Sequence, residues 1–321
     1  MLRKLTAVLL VAAATLSIVS AARAEQFVRI ASGLAGTYPI YGAKLAEMMN
    51  KHIPDVRAST VAGPTEQGLL RIDKGDAEFG IAYTYQTLQL RNGESSLKVK
   101  AEKLRHVASL YGAYFMVLVQ KDSDIKSLAD LKNKPYKVWL GTKASTFYAL
   151  NVASLAAHGV TPEDITKAGG VLNTAGYQNL AQAFQDGQID VAFFSGPAPY
   201  GPMMELDRAP GFRVLSFDKA AGEKMMALLP GVTMRTLKGG IYKSMPNEVS
   251  TPYLINELVV SSAVSDDLVY KTTKMINDQI KEFQGLFAGA EEIQTKVALD
   301  GNQIPLHPGA EKYYREIGLI K

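Results

Sequence analysis

The feature that most constrains this chain is a single strand–loop–helix unit that occurs twice, about a hundred residues apart. Phe27-Val28-Arg29-Ile30-Ala31 reads as a buried strand and runs into Ser32-Gly33-Leu34-Ala35-Gly36-Thr37. The spacing predicts a helix over Pro39–Asn50, with Thr37 as its N-cap and Pro39 in the tolerated first turn. Lys137-Val138-Trp139-Leu140 is again a strand, Gly141-Thr142-Lys143-Ala144-Ser145-Thr146 again a loop, and a helix follows from about Phe147 to His158, closed by Gly159. A second signal repeats inside each half. Gly75 and Gly187 are each followed three residues later by an acid (Glu78, Asp190) and then by an apolar strand. From loop glycine to this second glycine the gap is 42 residues in one half (33 to 75) and 46 in the other (141 to 187). Matching order and spacing point to two α/β lobes of like architecture.

The remaining pattern fits that frame. A helix opens at Pro64 or Thr65, carries Leu69, Leu70 and Ile72, and stops at Gly75. Ala77–Tyr83 and Ile189–Phe194 read as strands, as do Arg105–Leu110, Tyr114–Gln120, Phe212–Phe217 and Tyr253–Val260. Ser265-Asp266-Asp267 caps a long helix with Val269, Thr272, Ile276, Ile280 and Phe283 on one face. No low-complexity linker separates the halves, so a hinge made of strands is expected. The chain divides into residues 1–24, a first lobe of 25–118 plus about 252–321, and a second lobe of about 119–251.

Residues 1–24 carry an address. Arg3 and Lys4, the apolar run Leu5–Val19 and the Ala22-Arg23-Ala24 cleavage site make a secretory signal peptide, which places the mature protein in the periplasm. The run is shorter than the ~20 residues that span a bilayer. Cleavage removes Arg3, Lys4 and Arg23 and no acid, so 32 of the 35 basic residues remain against 31 acidic ones. A charge so near balance gives no footprint for nucleic acid and no polybasic membrane patch. The chain has no cysteine, which excludes disulfides, thiol catalysis and thiolate metal sites. The four histidines, His52, His106, His158 and His307, show no metal-binding spacing.

The two loops are where chemistry concentrates. In open α/β sheets, ligands bind beyond the carboxyl ends of the strands, where free backbone N–H groups and the helix dipole favour an anion. Ser32, Gly33, Gly36, Thr37 and Tyr38 form one half of such a cradle, and Lys143, Ser145 and Thr146 the other. Tyr83 and Thr84 follow a strand of the first lobe, and Pro197 holds the equivalent place in the second, so these residues join the candidate ligand site. Simple burial is the alternative reading for Tyr83 and Tyr85, and core or surface filling for Met203, Met204, Met225 and Met226. Gly33-x-x-Gly36 is not a dinucleotide fingerprint, and neither a P-loop G-K-[ST] nor a G-x-S-x-G elbow occurs. No catalytic constellation, cofactor or metal is expected.

Four segments in order carry a resemblance. These are Ile30-Ala31-Ser32-Gly33-Leu34-Ala35-Gly36-Thr37-Tyr38 with Gly42 after it, Gly75-Asp76-Ala77-Glu78-Phe79, Asp190-Val191-Ala192-Phe193-Phe194-Ser195-Gly196-Pro197-Ala198, and the ending Ile304-Pro305-Leu306-His307-Pro308-Gly309-Ala310-Glu311-Lys312-Tyr313-Tyr314. Over nearly all of the mature chain the sequence resembles the TAXI class of TRAP-transporter solute-binding proteins. The resemblance implies a type II periplasmic-binding-protein fold with a Venus-flytrap cleft, no catalysis, and delivery of the ligand to an ion-gradient-driven membrane permease; the chain is expected to be a monomer. It also implies a glutamate-, glutamine- or 2-oxoglutarate-like ligand. The chain departs from the family pattern in the presumed pocket. Pro39 replaces a second Tyr, Tyr83 precedes Thr84 where Gln often precedes Ser, and Lys143 and Phe147 replace a Pro and a hydroxyl residue. The ligand therefore need not be glutamate, and Lys143 would suit an added carboxylate. A periplasmic sensor domain or an enzyme on the same fold are the alternatives. The missing catalytic constellation argues against the enzyme.

Overall fold

The computed structural model describes residues 25–34, 36–95, 97–142 and 146–321, the side chains of Thr146 and Gln178 apart. The signal peptide assigned to residues 1–24 therefore lies outside the described residues. The first half opens with strand β1 (Gln26–Ala31), helix α1 (Tyr38–His52), β2 (Val56–Val61), α2 (Thr65–Lys74), β3 (Phe79–Tyr83) and α3 (Thr84–Asn92). A 17-residue strand β4 (Leu104–Gln120) crosses into the second half. There β5 (Lys137–Trp139), α4 (Thr146–Ala157), α5 (Pro162–Lys167), β6 (Val171–Asn173), α6 (Leu180–Gln185), β7 (Val191–Gly196), α7 (Gly201–Arg208), β8 (Phe212–Leu215), α8 (Lys219–Leu228) and β9 (Val232–Leu237) follow. The chain returns along β10 (Val249–Ser261) and finishes with α9 (Asp266–Asp278), α10 (Ile280–Gln284) and α11 (Pro308–Glu316).

Two strands belong to both lobes. The order β2-β1-β3-β10-β4 builds the first lobe's sheet, and β4-β7-β5-β6 continues into the second, with β8 on β4 and β9 on β10. Along β10, Val249–Leu254 pairs with β9 and Asn256–Val260 with β3. Along β4, pairing passes from β10 to β7 at Tyr114. The chain passes from one lobe to the other along β4 and back along β10, so these two strands are the hinge. Both are buried almost throughout, as strands covered on both faces are. The sequence suggests two strands, Arg105–Leu110 and Tyr114–Gln120, broken around Gly112. The structure joins them, because a Cβ on Gly112 would stand 1.7 Å from the ring and hydroxyl of Tyr253 on β10. Glycine there lets the two hinge strands pair past a tyrosine.

Each lobe has its own core. Val28, Tyr41, Phe79, Leu258, Phe283 and Tyr314 centre the first, and Phe115, Trp139, Phe184, Phe193 and Phe212 the second. Met203 and Met225 are fully buried in the second core, whereas Met204 and Met226 face solvent. The expected long C-terminal helix is two helices, interrupted at Gln279, with Phe283 still buried. The C-terminal segment is stitched to the hinge. His106 N–H donates to the Pro305 carbonyl and His307 N–H to the His106 carbonyl, both at 2.9 Å. The His106 ring is fully buried. Its Nε2 meets the Ala298 carbonyl (3.0 Å) and its Nδ1 the equally buried Glu257 carboxyl, 2.5 Å away. This pairing gives both buried polar groups a partner inside the core.

Candidate ligand cleft

The helices that follow β1, β2 and β3 all start at the same end of the first sheet. Their N-termini open on a cavity of about 300 Å³ between the lobes. The first lobe contributes Gly33, Leu34, Gly36, Thr37 and Tyr38, the start of α2 at Pro64, Thr65 and Glu66, then Tyr83 and Gln86, and from the hinge Tyr111, Ala113 and Asn256. The second lobe contributes Thr142, Phe147, Gly176, Tyr177, Ser195, Gly196, Pro197 and Tyr200.

The loop after β1 is shaped by two glycines. Gly33 has φ +71°, and a Cβ there would also press on Tyr38 at 3.1 Å. Gly36 has φ +72°. Only glycine enters this region without cost. Thr37 precedes α1 but does not cap it with its side chain. Its hydroxyl instead pairs with the Tyr111 hydroxyl on the hinge, at 2.5 Å. The start of α2, at Pro64, also lacks a side-chain cap. The cavity therefore faces the starts of two helices, of 15 and 10 residues, that no side chain of the N-cap position caps; the first turn of α1 carries no acid, and that of α2 carries Glu66.

The second lobe presents rings. Phe147 and Tyr177 stack in parallel, centroids 4.4 Å apart and planes within 3°. Trp139 backs both, at 6.2 and 5.9 Å. Across the cleft, Tyr38 meets Tyr83 edge to face at 6.0 Å. The lobes touch through the Tyr83 and Ser195 hydroxyls, 2.9 Å apart. Burial holds the phenols of Tyr38, Tyr83, Tyr111 and Tyr177 above the ordinary tyrosine range. These groups stay neutral and keep a proton to donate. Of the five side-chain polar atoms buried without a hydrogen-bond partner among the described residues, two belong to residues that line this cavity: the Tyr38 hydroxyl and the Oδ1 of Asn256, whose Nδ2 donates to the Tyr111 carbonyl at 2.9 Å.

Of the residues singled out in the sequence, Gly33, Gly36, Thr37, Tyr38, Tyr83 and Pro197 line this cavity. Ser32 and Thr84 do not. Ser32 is buried beneath α1, where Gly42 leaves room for it: a Cβ on Gly42 would lie 2.6 Å from the Ser32 Cβ. Thr84 is buried with its hydroxyl turned to the Gly231 carbonyl, 3.5 Å away. Lys143, Ser145 and the Thr146 side chain lie outside the described residues; their neighbours Thr142 and Phe147 are in the wall. Among the described residues, no Lys, Arg or His lines the cavity, and Glu66 is its one charged group.

Sequence reasoning missed Tyr111, Asn256, Tyr177 and the start of α2. Asn256 and Glu257 had a signal, two polar residues inside the apolar run Leu254–Val260. Pro64–Glu66 would have followed from recognising β2, because the strand–helix rule that selected Gly33–Tyr38 applies equally there.

Strand order, shared hinge and interlobe cavity together define the type II periplasmic-binding-protein fold: two α/β lobes on a strand hinge. Solved structures share it. XAC2383 from Xanthomonas citri bound to ATP is similar over 92% of this chain and 97% of its own, at 12% identity and a TM-score of 0.51. A TctC solute-binding protein from Polaromonas, without ligand, is similar over 92% of this chain and 99% of its own, at 15% identity and a TM-score of 0.50. The chain belongs to the NMT1-like family, whose model matches residues 30–318. Among the described residues, no helix is long and apolar enough to cross a membrane.

Proposed function

We propose that this protein captures a small organic anion or amino acid outside the cytoplasm and delivers it to a TRAP-type membrane permease, as a solute-binding subunit of the TAXI class. One observation carries the reading. A single cavity takes its walls from both lobes and lies at the uncapped N-termini of α1 and α2. Helix N-termini attract anions without a counter-charged side chain. A ligand seated there bridges the lobes and favours the closed form by its differential affinity for it. The four TAXI-like segments run in order through the matched region, and the TctC neighbour shares the fold.

Capture without catalysis is part of the proposal. The one serine in the cavity wall among the described residues, Ser195, has its Oγ partnered by the neutral phenol of Tyr83 rather than by a base. No cofactor is required, and a monomer suffices because both walls come from one chain.

The test is a thermal-shift screen of the exported protein against mono- and dicarboxylates, amino acids and sugar acids. A ligand present at about 1,000 Kd should add ~4 kcal/mol of stability. A chain that no member of the screen stabilises is not a solute-binding protein of this kind.

A further inference from the structure

We infer that two glycines outside the cavity, Gly231 and Gly289, set how far the lobes close and thereby the affinity of capture, an inference that rests on the capture reading above. The lobes meet along one seam beside the hinge. At its centre the hydroxyls of Tyr83 and Ser195 face each other across the cleft, 2.9 Å apart. On one side, Gly231 of the second lobe bears on Thr84, the residue after Tyr83. A Cβ on Gly231 would stand 3.1 Å from the Thr84 Oγ1 and 3.3 Å from the Tyr85 backbone nitrogen. On the other side, Gly289 of the first lobe bears on Pro197, two residues after Ser195. A Cβ there would stand 2.4 Å from the Pro197 Cβ, an atom of a closed ring that no rotamer change moves aside. Gly289 is itself held, since its N–H donates to the Glu291 carboxylate at 2.8 Å.

The register of the hinge strands shows why both places need glycine. On β10, β3 of the first lobe ends with Tyr83 opposite Asn256, and β9 of the second begins with Val232 opposite Leu254. Gly231 lies in that joint. On β4, β7 ends with Gly196 opposite Tyr114, and the Gly112 N–H donates to the Glu292 carboxylate at 2.9 Å. Gly289 and Pro197 meet beside that joint. The chain around each glycine is anchored in its own lobe, Leu229 and Val232 in the second core and Ala290 and Ile293 in the first. With Tyr83 and Ser195 already in contact, the lobes cannot turn further inward, so opening is the motion that relieves a clash at either joint. A Cβ at 231 or 289 therefore penalises the closed form and spares the open one. A ligand shifts that equilibrium only by its differential affinity for the two forms, so the penalty appears as weaker binding. Neither glycine is among the described residues that line the cavity, so both act through the lobe angle rather than by touching the ligand.

Backbone strain has to be separated from the clash. Gly231 and Gly289 have φ of +95° and +92°, where an L residue is strained in the open and the closed form alike. That strain lowers the melting temperature and cancels in the affinity, whereas the clash does not cancel. Gly75 supplies the control: its φ is +84°, and a Cβ there would meet nothing within 4 Å. The experiment is a calorimetric titration of the purified exported protein, and of its Gly289→Ala, Gly231→Ala and Gly75→Ala variants, with glutamate, succinate, 2-oxoglutarate, phenylacetate and gluconate. For the acid that the native protein binds most tightly, Gly289→Ala should raise Kd about tenfold or more and Gly231→Ala about threefold or more, with Gly75→Ala within about twofold of native. The three variants should melt within a few degrees of one another when empty. At an acid concentration that saturates the native protein, small-angle X-ray scattering should find Gly289→Ala more extended than Gly75→Ala. Where Gly289→Ala does not fold, Gly231→Ala carries the test. If both seam variants bind the acid no more weakly than Gly75→Ala, the seam does not set closure and the capture reading stands. If no acid of this set or of the wider screen binds the native protein, the capture reading itself fails and this inference with it.

Discussion

The two faces of the interlobe cavity solve different problems with the same fold. The first lobe offers backbone: two helix starts without side-chain caps, a loop held by two positive-φ glycines, and hydroxyls fixed to the hinge. The second lobe offers surface, chiefly the stacked pair Phe147 and Tyr177 over Trp139. In the proposed capture role, the first face would select charge and the second shape. The difference teaches that a pseudo-symmetric pair of βα units need not make a symmetric site. The repeat positions two loops, and the residues that fill them set the chemistry.

The comparison can be broken in several ways, taken here from the largest effect to the smallest. Alkali should act on the first face most, since three of the five phenols that line the cavity, Tyr38, Tyr83 and Tyr111, belong to it or to the hinge. Their ionisation is pushed above the unfolded value near 10 by burial. A raised folded value means that the associated stability is intact below about pH 10 and is lost as pH rises beyond it. Phenolate absorbance monitored together with circular dichroism should show these groups ionising only as the protein unfolds. Ionisation of all fifteen tyrosines in the folded state would contradict the burial argument.

Gly33→Val should follow in size. A β-branched residue at φ +71°, against Tyr38, should cost about 2–3 kcal/mol in urea unfolding, and an unchanged midpoint would show that the loop is not constrained as described. Phe147→Ala tests the other face. Losing one half-buried ring of a stacked pair should cost roughly 1–2 kcal/mol and shift Trp139 emission, with the first face's anion affinity retained in part. Tyr38→Phe should have the least effect on stability. It removes a hydroxyl that has no partner in the empty protein, so the melting temperature should hold or rise by a degree or two while ligand affinity falls. A clear loss of stability would mean that the hydroxyl is already satisfied.

How much of this was legible in the sequence depended on range. The loop Gly33–Tyr38 was visible because glycine and small residues between an apolar strand and a helical period leave few alternatives. Helix α3 was hidden, since its buried positions are Thr84, Tyr85, Gln86, Thr87 and Leu90, which show no apolar stripe. Strand β2, with the half-exposed pattern of Val56-Arg57-Ala58-Ser59-Thr60-Val61, was overlooked for the opposite reason: an edge strand buries too little to mark itself. Missing β2 removed α2 from the cleft. Tyr111 and Asn256 enter the site through the register of β4 on β10, which joins residues some 145 positions apart. No local pattern records such a contact. Thr37 was seen as a cap, a local role, and the structure gives its hydroxyl to Tyr111 instead, 74 residues away.

The most direct test of the divided cavity is a crystal structure of the protein with the tightest acid from the titration. The account predicts one ligand between the lobes, its carboxylate at the start of α1 and α2 near Thr37 and Thr65, and its body against Phe147 and Tyr177. A ligand whose carboxylate points instead at the second lobe's rings, or one seated outside the cleft in the smaller cavity beside Arg235, Tyr253 and Glu292, would contradict it.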